Sequence, residues 1–232
     1  MTSRALIFDV DGTLAETEEA HRHAFNETFA KEGLDWHWDQ ALYRELLKTA
    51  GGKERMRAYA ANHLNIDPAR IPVVEIHRRK TERYGELIAE GGVQLRPGIA
   101  EMLARAPAAG WRLAMATTTN IPNVDRLIRA TLGVPADEVF EAIAAGDMVA
   151  TKKPAPDVYL VALEKLGLPA QKCLALEDSP NGLRSARAAG VPCVVCPSLY
   201  TRGEDFSGAA LVVHSFADIA DPANLTARFA PA

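Results

Sequence analysis

Two aspartates, Asp9 and Asp11, stand one residue apart directly after the apolar run at residues 5–8. An unbroken apolar run of this length predicts a short buried strand, and Gly12 predicts that the chain turns after it. The carboxylates therefore meet at the carboxyl end of a strand, where open α/β sheets bind ligands. Because close carboxylates repel, one can stay ionised as a nucleophile or cation ligand while the other holds a proton. The alternative is an ordinary Asp-Gly turn.

Polar residues also follow two other predicted strands. A strand at residues 111–116 runs into Thr117, and a strand at residues 173–176 ends on Glu177 and Asp178. Because the carboxyl ends of parallel strands share one edge of a sheet, we expect these side chains near the aspartate pair. In isolation, Thr117 can be a plain strand-end hydroxyl, and the acidic pair can be the cap of a following helix.

Lys153 completes this set of candidate residues. It follows a short strand predicted at residues 139–145, at the same edge of the sheet. A threonine hydroxyl and a lysine suit a phosphate group, whereas carboxylates suit a divalent cation. Several acidic groups in one pocket repel each other unless a cation lies among them, so the sequence implies Mg²⁺ as the cofactor.

The rest of the chain predicts the elements that position these residues. From residue 93 onward, predicted strands alternate with helices, which favours a parallel sheet with helices on both faces. Residues 16–92 predict several helices and no convincing strand. The first strand precedes this helical stretch and its predicted sheet partners follow it, so the stretch is an insert on two linkers. Such an insert can open and close over the strand ends.

Composition excludes several classes of function. The chain has 232 residues, 48% of them apolar, and a net charge of −4, which indicates a globular protein without a nucleic-acid or membrane partner. No apolar run reaches the roughly 20 residues of a membrane span, and no signal peptide is visible. Three cysteines, an odd number, indicate a reducing, cytoplasmic setting. We interpret Cys193 and Cys196 as buried-strand residues rather than a redox or metal site.

These motifs, taken in order, resemble those of the haloacid dehalogenase superfamily. They are Asp9-Val10-Asp11-Gly12-Thr13, Thr117, Lys153-Pro154 and Glu177-Asp178. The helical insert matches the cap of the β-phosphoglucomutase-like branch, and the resemblance covers essentially the whole chain. It implies an α/β fold with a Rossmann-like parallel sheet core at residues 1–15 and 93–232. A small all-helical cap domain at residues 16–92 is then inserted after the first strand.

The resemblance also implies catalytic roles for the motif residues. Asp9 is expected to be the nucleophile, which forms an aspartyl-phosphate, and Asp11 the general acid and base. Thr117 and Lys153 are expected to hold the transferring phosphoryl group together with the backbone amide of Thr118.

For Mg²⁺, the resemblance implies a set of oxygen ligands. Asp9 and Asp178 are expected to contribute carboxylates, and Asp11 its backbone carbonyl. Glu177 is expected at or near the ion.

Residues of the insert are candidates for selecting the substrate. The turn at Gly51, Gly52 and Lys53 offers backbone amides at a helix start beside a basic side chain, which suits a second phosphate. The alternative is a helix–helix turn with solvated charges. His21 and Lys80 match substrate-facing positions of β-phosphoglucomutase. The substrate-binding candidates are Glu18, His21, Tyr43, Arg44, Gly51, Gly52, Lys53, Arg78, Lys80, Thr117, Thr118, Asn120 and Lys153.

Within the branch, the chain most closely resembles the CbbY-type phosphatases, which remove the C1 phosphate from xylulose 1,5-bisphosphate. Two departures weaken a mutase interpretation: Glu54 stands between Lys53 and Arg55, and Asn120 replaces a lysine of the mutase. We therefore predict a Mg²⁺-dependent phosphatase that converts a sugar bisphosphate, most closely xylulose 1,5-bisphosphate, to xylulose 5-phosphate. The alternatives are a phosphosugar mutase and a non-catalytic sugar-phosphate-binding module. We expect a monomer whose partner is a small-molecule sugar phosphate.

Overall fold

The chain divides into two compact units in a computed structural model that describes residues 4–222 and Leu225. One unit comprises residues 1–16 and 94–232, and the other comprises residues 17–93. The first contains a sheet, whereas the second, all of whose residues are described, contains helices and no strand. Parts of the predicted core domain, residues 1–3, 223, 224 and 226–232, lie outside the described residues.

A six-stranded parallel sheet forms the centre of the first unit. Its strands are β1 (Arg4–Phe8), β2 (Trp111–Ala116), β3 (Ala142–Ala144), β4 (Cys173–Glu177), β5 (Cys193–Val195) and β6 (Leu211–Val212). They lie in the order β3-β2-β1-β4-β5-β6, and every neighbouring pair is parallel. The direction of strand addition switches between β1 and β4, the point at which such sheets open a crevice for ligands. The predicted parallel sheet is confirmed.

Helices make up the remaining regular structure. The second unit contains α1 (Glu18–Lys31), α2 (Gln40–Leu46), α3 (Gly52–His63) and α4 (Val73–Ala89). The first unit contains α5 (Ile99–Arg105), α6 (Ile121–Leu132), α7 (Ala136–Val139), α8 (Asp157–Leu166) and α9 (Pro180–Ala188). Short 3-10 turns lie at Pro68–Arg70, Ala170–Lys172 and Phe216–Ile219. None of the described helices combines the length and apolarity needed to cross a bilayer.

Buried side chains cover both faces of the sheet. Ala5 and Ile7 of β1 belong to an apolar cluster that includes side chains of α8 and α9. Because side chains alternate along a strand, Leu6 and Phe8 point to the opposite face, and both are also fully buried. There the ring of Phe8 meets that of Phe140 edge-on, with 6.0 Å between centroids. Burial on both faces explains why β1 is apolar throughout rather than alternating.

The prediction of a strand at residues 139–145 is wrong at its N-terminal end. Residues Ala136–Val139 form α7, and β3 spans only Ala142–Ala144. The helical turn is stabilised by the carboxylate of Asp125 in α6, which accepts a hydrogen bond from the amide of Ala136 at 3.1 Å. This tertiary contact overrides the local β-propensity of the apolar run.

The cysteines agree with their interpretation as buried residues. Cys193 begins β5 and Cys196 follows the end of that strand, and both side chains are buried. All three cysteines, including Cys173, are free thiols. The pair therefore packs in the core.

Aromatic side chains form the core of the second unit. Trp38 is fully buried, and its ring centroid lies 4.6 Å from that of Phe25, 4.9 Å from Phe29 and 5.4 Å from Tyr59. Tilted and edge-on pairs of this kind add about 0.5–1.5 kcal/mol each beyond burial. Asn26 fixes the backbone of Trp38 with two hydrogen bonds of 2.8 Å. These residues give the helical unit a core of its own.

Gly98 offers a test of close packing in the first unit. Its φ is +90°, and a Cβ there would lie 2.3 Å from the backbone nitrogen of Ala217. Gly110 is a matched control, because its φ is +79° and a Cβ would meet nothing within 4 Å. We expect Gly110→Ala to lower the free energy of unfolding by about 1 kcal/mol. Gly98→Ala should cost about 1–3 kcal/mol more, and equal losses in urea denaturation would contradict this packing.

Candidate active site

Lys153 and two carboxylates form a buried cluster at the carboxyl edge of the sheet. The ammonium of Lys153 donates to Asp9 Oδ1 at 2.6 Å and to Glu177 Oε1 at 2.6 Å. It also donates to the carbonyl of Ala116 at 2.8 Å. Asp9 follows β1, whereas Ala116 and Glu177 are the last residues of β2 and β4. The structure thus brings together side chains that sequence reasoning placed at separate strand ends.

Glu177 is fully buried, and its two carboxylate oxygens differ in their hydrogen bonding. The hydroxyl of Tyr159 donates to Oε1 at 2.6 Å, but Oε2 has no hydrogen-bond partner among the described residues. A Cβ on Gly182 would lie 1.8 Å from Oε2, so only glycine allows α9 to pass so close. The cap of α9 is Ser179, whose side chain accepts from the amide of Gly182 at 3.1 Å. Capping of α9 is therefore supplied by a residue outside the acidic pair.

The carboxylates of Asp9, Glu177 and Asp178 make a set of oxygen donors. One oxygen from each lies within 4.8 Å of the other two, and all three residues are buried. Buried carboxylates at this spacing repel unless a cation is present, and hard oxygen donors are those that Mg²⁺ prefers. Gly12 packs against this set, since its φ is +86° and a Cβ would lie 2.3 Å from Asp178 Oδ2. The residues fit the predicted ion. Asp11 is half-buried beside Gly12.

Burial and the facing charges together set the proton affinities of this cluster. It raises the pKa of Asp9 to about 7, and the charges of Glu177 and Asp11 act in the same direction against the ammonium of Lys153. Burial lowers the pKa of Lys153, but the facing carboxylates outweigh this effect, and the net shift is upward. Burial, followed by the charge of Glu177, raises the pKa of Tyr159 well above its usual value. Lys153 therefore stays charged, and Tyr159 stays a hydrogen-bond donor.

The loop after β2 holds three other predicted residues. Thr117 is buried, and its hydroxyl accepts a hydrogen bond from the amide of Thr119 at 3.2 Å. Asn120 caps α6, because its side-chain oxygen accepts from the amide of Asn123 at 2.9 Å. Thr118 lies between them, half-buried. This hydroxyl-rich turn runs directly into a helix start, an arrangement suited to anions.

In the second unit, Glu18 and Tyr43 belong to one hydrogen-bonded chain that ends on Arg55. The hydroxyl of Tyr43 donates to Glu18 Oε2 at 2.9 Å, and Arg55 Nη1 donates to that hydroxyl at 3.1 Å. Arg55 Nε donates to the carbonyl of Leu46 at 3.2 Å. Sequence reasoning did not select Arg55 as a binding residue. The signal was present, since Arg55 lies one turn before Tyr59 on the inward face of α3.

The predicted Gly-Gly-Lys turn begins α3. Gly51 stands before the helix with a φ of +90°, and a Cβ on Gly52 would lie 2.3 Å from His77 Nε2. Lys53 is half-buried in the first turn, and Arg44 is exposed on α2. Close packing thus explains Gly52, and the positive φ explains Gly51, without a role in binding.

Lys80 and His21 lie in contact inside the second unit. Lys80 Nζ is 2.5 Å from His21 Nδ1, and it lies over the rings of Phe25 at 4.5 Å and Tyr84 at 5.0 Å. His21 stacks on Tyr84 with 3.7 Å between centroids. Arg78 differs, because it is exposed and forms ion pairs with two glutamates of its own helix. The structure brings the first two candidates together but places Arg78 in a surface network.

The raised pKa of Asp9 predicts a pH-dependent stability. Asp9 releases its proton at about pH 7 in the folded chain and near its ordinary value of 3.8 when unfolded. The folded chain then binds more protons in this interval, so its stability falls as the pH rises through it. Relative to Asp9→Asn, we expect metal-free wild-type protein to lose about 2–4 kcal/mol of unfolding free energy across this interval.

Urea denaturation of both proteins in EDTA measures this difference. Surface carboxylates such as Glu75 and Asp125, whose pKa values are lowered by neighbouring arginines, have the opposite effect but act equally in both proteins. Parallel stability curves for the two proteins would show that Asp9 is not perturbed.

Comparison with known proteins identifies the family. The haloacid dehalogenase-like hydrolase model matches residues 3–190. Protein CbbY of Cereibacter sphaeroides is 58% identical over 221 residues, which cover 95% of this chain and 96% of that protein. The crystal structure of CbbY from Rhodobacter sphaeroides in complex with phosphate has a TM-score of 0.89 at 58% identity, covering 94% of this chain and 96% of that one. A mutant of that protein in complex with xylulose-(1,5)bisphosphate matches equally well.

A more distant structure shows the fold alone. β-Phosphoglucomutase of Clostridium difficile has a TM-score of 0.80 at 21% identity, covering 98% of this chain and 97% of that one. The resemblance drawn from the sequence motifs is confirmed by the high-identity matches, and so is the prediction of a hydrolase. The chain belongs to the haloacid dehalogenase-like hydrolase family.

Proposed function

We propose that this chain is a Mg²⁺-dependent phosphatase that hydrolyses a sugar bisphosphate. The substrate best supported is xylulose 1,5-bisphosphate, which is converted to xylulose 5-phosphate. The observation that carries the proposal is the buried contact of Lys153 Nζ with Asp9 Oδ1 and Glu177 Oε1, each at 2.6 Å. This contact places the proposed nucleophile, the Asp9 carboxylate, beside the positively charged Lys153 ammonium at the ligand-binding edge of the sheet. Further support comes from the 58% identical CbbY, of which a mutant was crystallised with xylulose-(1,5)bisphosphate.

In this mechanism Asp9 attacks the phosphorus atom. Lys153 holds the carboxylate through Oδ1, so Oδ2 forms the new bond as the phosphorus–oxygen bond to the sugar breaks. Asp11 gives its proton to the leaving sugar oxygen. Asp11 then takes a proton from water, which attacks the aspartyl-phosphate, releases inorganic phosphate and regenerates the Asp9 carboxylate.

The groups around the phosphoryl oxygens stabilise the charge that develops on them. Lys153, the Thr117 hydroxyl and the amide of Thr118 are the donors proposed for this role. Asp9, Asp178, Glu177 and the Asp11 carbonyl are the proposed ligands of Mg²⁺. When bound, the ion supplies positive charge that keeps the nucleophile ionised at neutral pH and neutralises the phosphoryl group.

The surroundings of Arg55 support the proposal that the substrate carries a second anionic group. Its side chain is buried, and it bonds to the hydroxyl of Tyr43 and the carbonyl of Leu46, which are both neutral. Among the described residues, no carboxylate lies within ion-pair distance of its guanidinium. A buried cation without an anion is unfavourable, so a phosphate that reaches it gains a charge-assisted contact. We assign the second phosphate to Arg55 and the turn at residues 51–53.

The first experiment measures phosphate release from xylulose 1,5-bisphosphate with and without Mg²⁺. We expect Mg²⁺-dependent release that falls by on the order of 10⁴-fold in Asp9→Asn, because the nucleophile is lost. A parallel assay offers β-glucose 1-phosphate with a trace of its 1,6-bisphosphate. Formation of glucose 6-phosphate there, without release of phosphate in the first assay, would show a mutase instead.

The second experiment tests the assignment of Arg55. We expect Arg55→Met to raise KM for the bisphosphate roughly 10- to 100-fold, since a charge-assisted contact is lost. Hydrolysis of a sugar monophosphate should change little. Arg57→Met is the matched control, because Arg57 lies on the same helix but is exposed. An equal effect of Arg55→Met on both substrates would contradict a role at the second phosphate.

A further inference from the structure

Arg96 is a buried arginine that joins two loops of the first unit. Its guanidinium donates to the carbonyl of Gly12, in the loop after β1. It also donates to the carbonyls of Cys196 at 2.8 Å and Pro197 at 2.9 Å, in the loop after β5. The planar fork of arginine carries five N–H donors in fixed directions on three nitrogens, whereas the three donors of a lysine ammonium leave one atom. The fork therefore spans carbonyls of two loops that a lysine at this position would not reach together.

Arg96 also contacts the chain that follows Asp11. Its backbone amide donates to the carbonyl of Leu14 at 2.8 Å. Nε lies 3.5 Å from Glu16 Oε1, and the guanidinium covers the ring of Phe216 at 5.3 Å. Residues 12–16 are therefore held to Arg96 by main-chain and side-chain contacts together.

The loop after β5 is in turn connected to Asp178. The hydroxyl of Thr201 donates to the carbonyl of Asp178 at 2.6 Å, and the amide of Ser198 donates to Thr201 Oγ1 at 2.9 Å. Gly12 also packs against Asp178, because a Cβ on Gly12 would lie 2.3 Å from Asp178 Oδ2. Through these hydrogen bonds, Arg96 connects the turn that carries Asp11 to the loop that contacts Asp178.

We propose that Arg96 is a positioning residue for the reaction: by fixing the carbonyl of Gly12 to those of Cys196 and Pro197, it holds Asp11 where the proton is transferred. The proposal rests on the proposed phosphatase function. A general acid must lie within hydrogen-bond reach of the leaving oxygen. A displacement of about 1 Å costs on the order of 100-fold in rate. Arg96 itself touches no reacting atom.

Arg96→Lys keeps the charge and removes the fork. We expect kcat to fall roughly 10- to 100-fold, with KM changed far less, because the proposed substrate contacts are intact. Arg4→Lys is the matched control. Arg4 donates to the carbonyl of Ala109 at 3.0 Å and lies 4.5 Å over the ring of Trp111, at the other end of β1. We expect that variant to lose stability without losing kcat.

A purely structural role for Arg96 would give a different result. Arg96→Lys would then lower the free energy of unfolding, as Arg4→Lys does, while the folded enzyme kept the wild-type kcat. That outcome overturns the proposal. In Arg96→Ala, added methylguanidinium should restore kcat in a saturable way and methylammonium should not. Equal rescue by both would show that charge alone is needed, and would also overturn it.

Hydrogen exchange separates this proposal from the phosphatase function. The amides of Gly12 and Leu14 are bonded within the turn, to the carbonyls of Ala15 at 2.8 Å and Val10 at 2.9 Å. We expect them to exchange at least about tenfold faster in Arg96→Lys, which is about 1.4 kcal/mol of lost protection. Arg4→Lys should leave them unchanged. Faster exchange in a protein without phosphatase activity would refute the function alone, and unchanged exchange would refute the role of Arg96.

Discussion

The ammonium of Lys153 holds three strand ends together at the carboxyl edge of the sheet. It bonds the carboxylate after β1, the last carbonyl of β2 and the carboxylate at the end of β4. Moving an ion out of water costs several kcal/mol, and this is offset only when partners are close and well oriented. Two negative charges face one positive charge here, so the cluster keeps a net negative charge. Burial raises the pKa of Asp9, and the charge of Glu177 acts in the same direction. The charge imbalance makes the site receptive to a divalent cation.

The surroundings of Glu177 maintain this imbalance. Tyr159 satisfies one carboxylate oxygen, and the close passage of α9 at Gly182 leaves the other buried without a partner among the described residues. Native proteins rarely leave such an atom unsatisfied, and exceptions concentrate at functional sites. The same helix is capped by Ser179, so the acidic residues are not needed to stabilise it. Local stability and chemical reactivity are thus supplied by different residues.

Sequence reasoning succeeded where residue type and period decide the structure. The strand predicted at residues 111–116 is β2 as observed. Asp9, Lys153 and Glu177, which were expected to lie close together because parallel strands end at one edge of the sheet, are in contact. It failed where a distant contact decides, as at α7, whose first amide is held by Asp125. Arg96 left no sequence signal, because its acceptors are backbone carbonyls 84 to 101 residues away, and any residue type supplies a carbonyl.

The central place of β1 in the sheet has a consequence for how the chain folds. The contact between Lys153 and Asp9 joins positions 144 residues apart, and Ala5 pairs with Cys173. Non-local pairings of this kind form slowly, because a long loop must close before any contact stabilises it. The aromatic cluster of the helical unit lies within a short stretch of chain, from Phe25 to Tyr59. During synthesis from the N-terminus, the helical unit can therefore be complete before Thr117, Lys153, Glu177 and Asp178 of the candidate active site have been made.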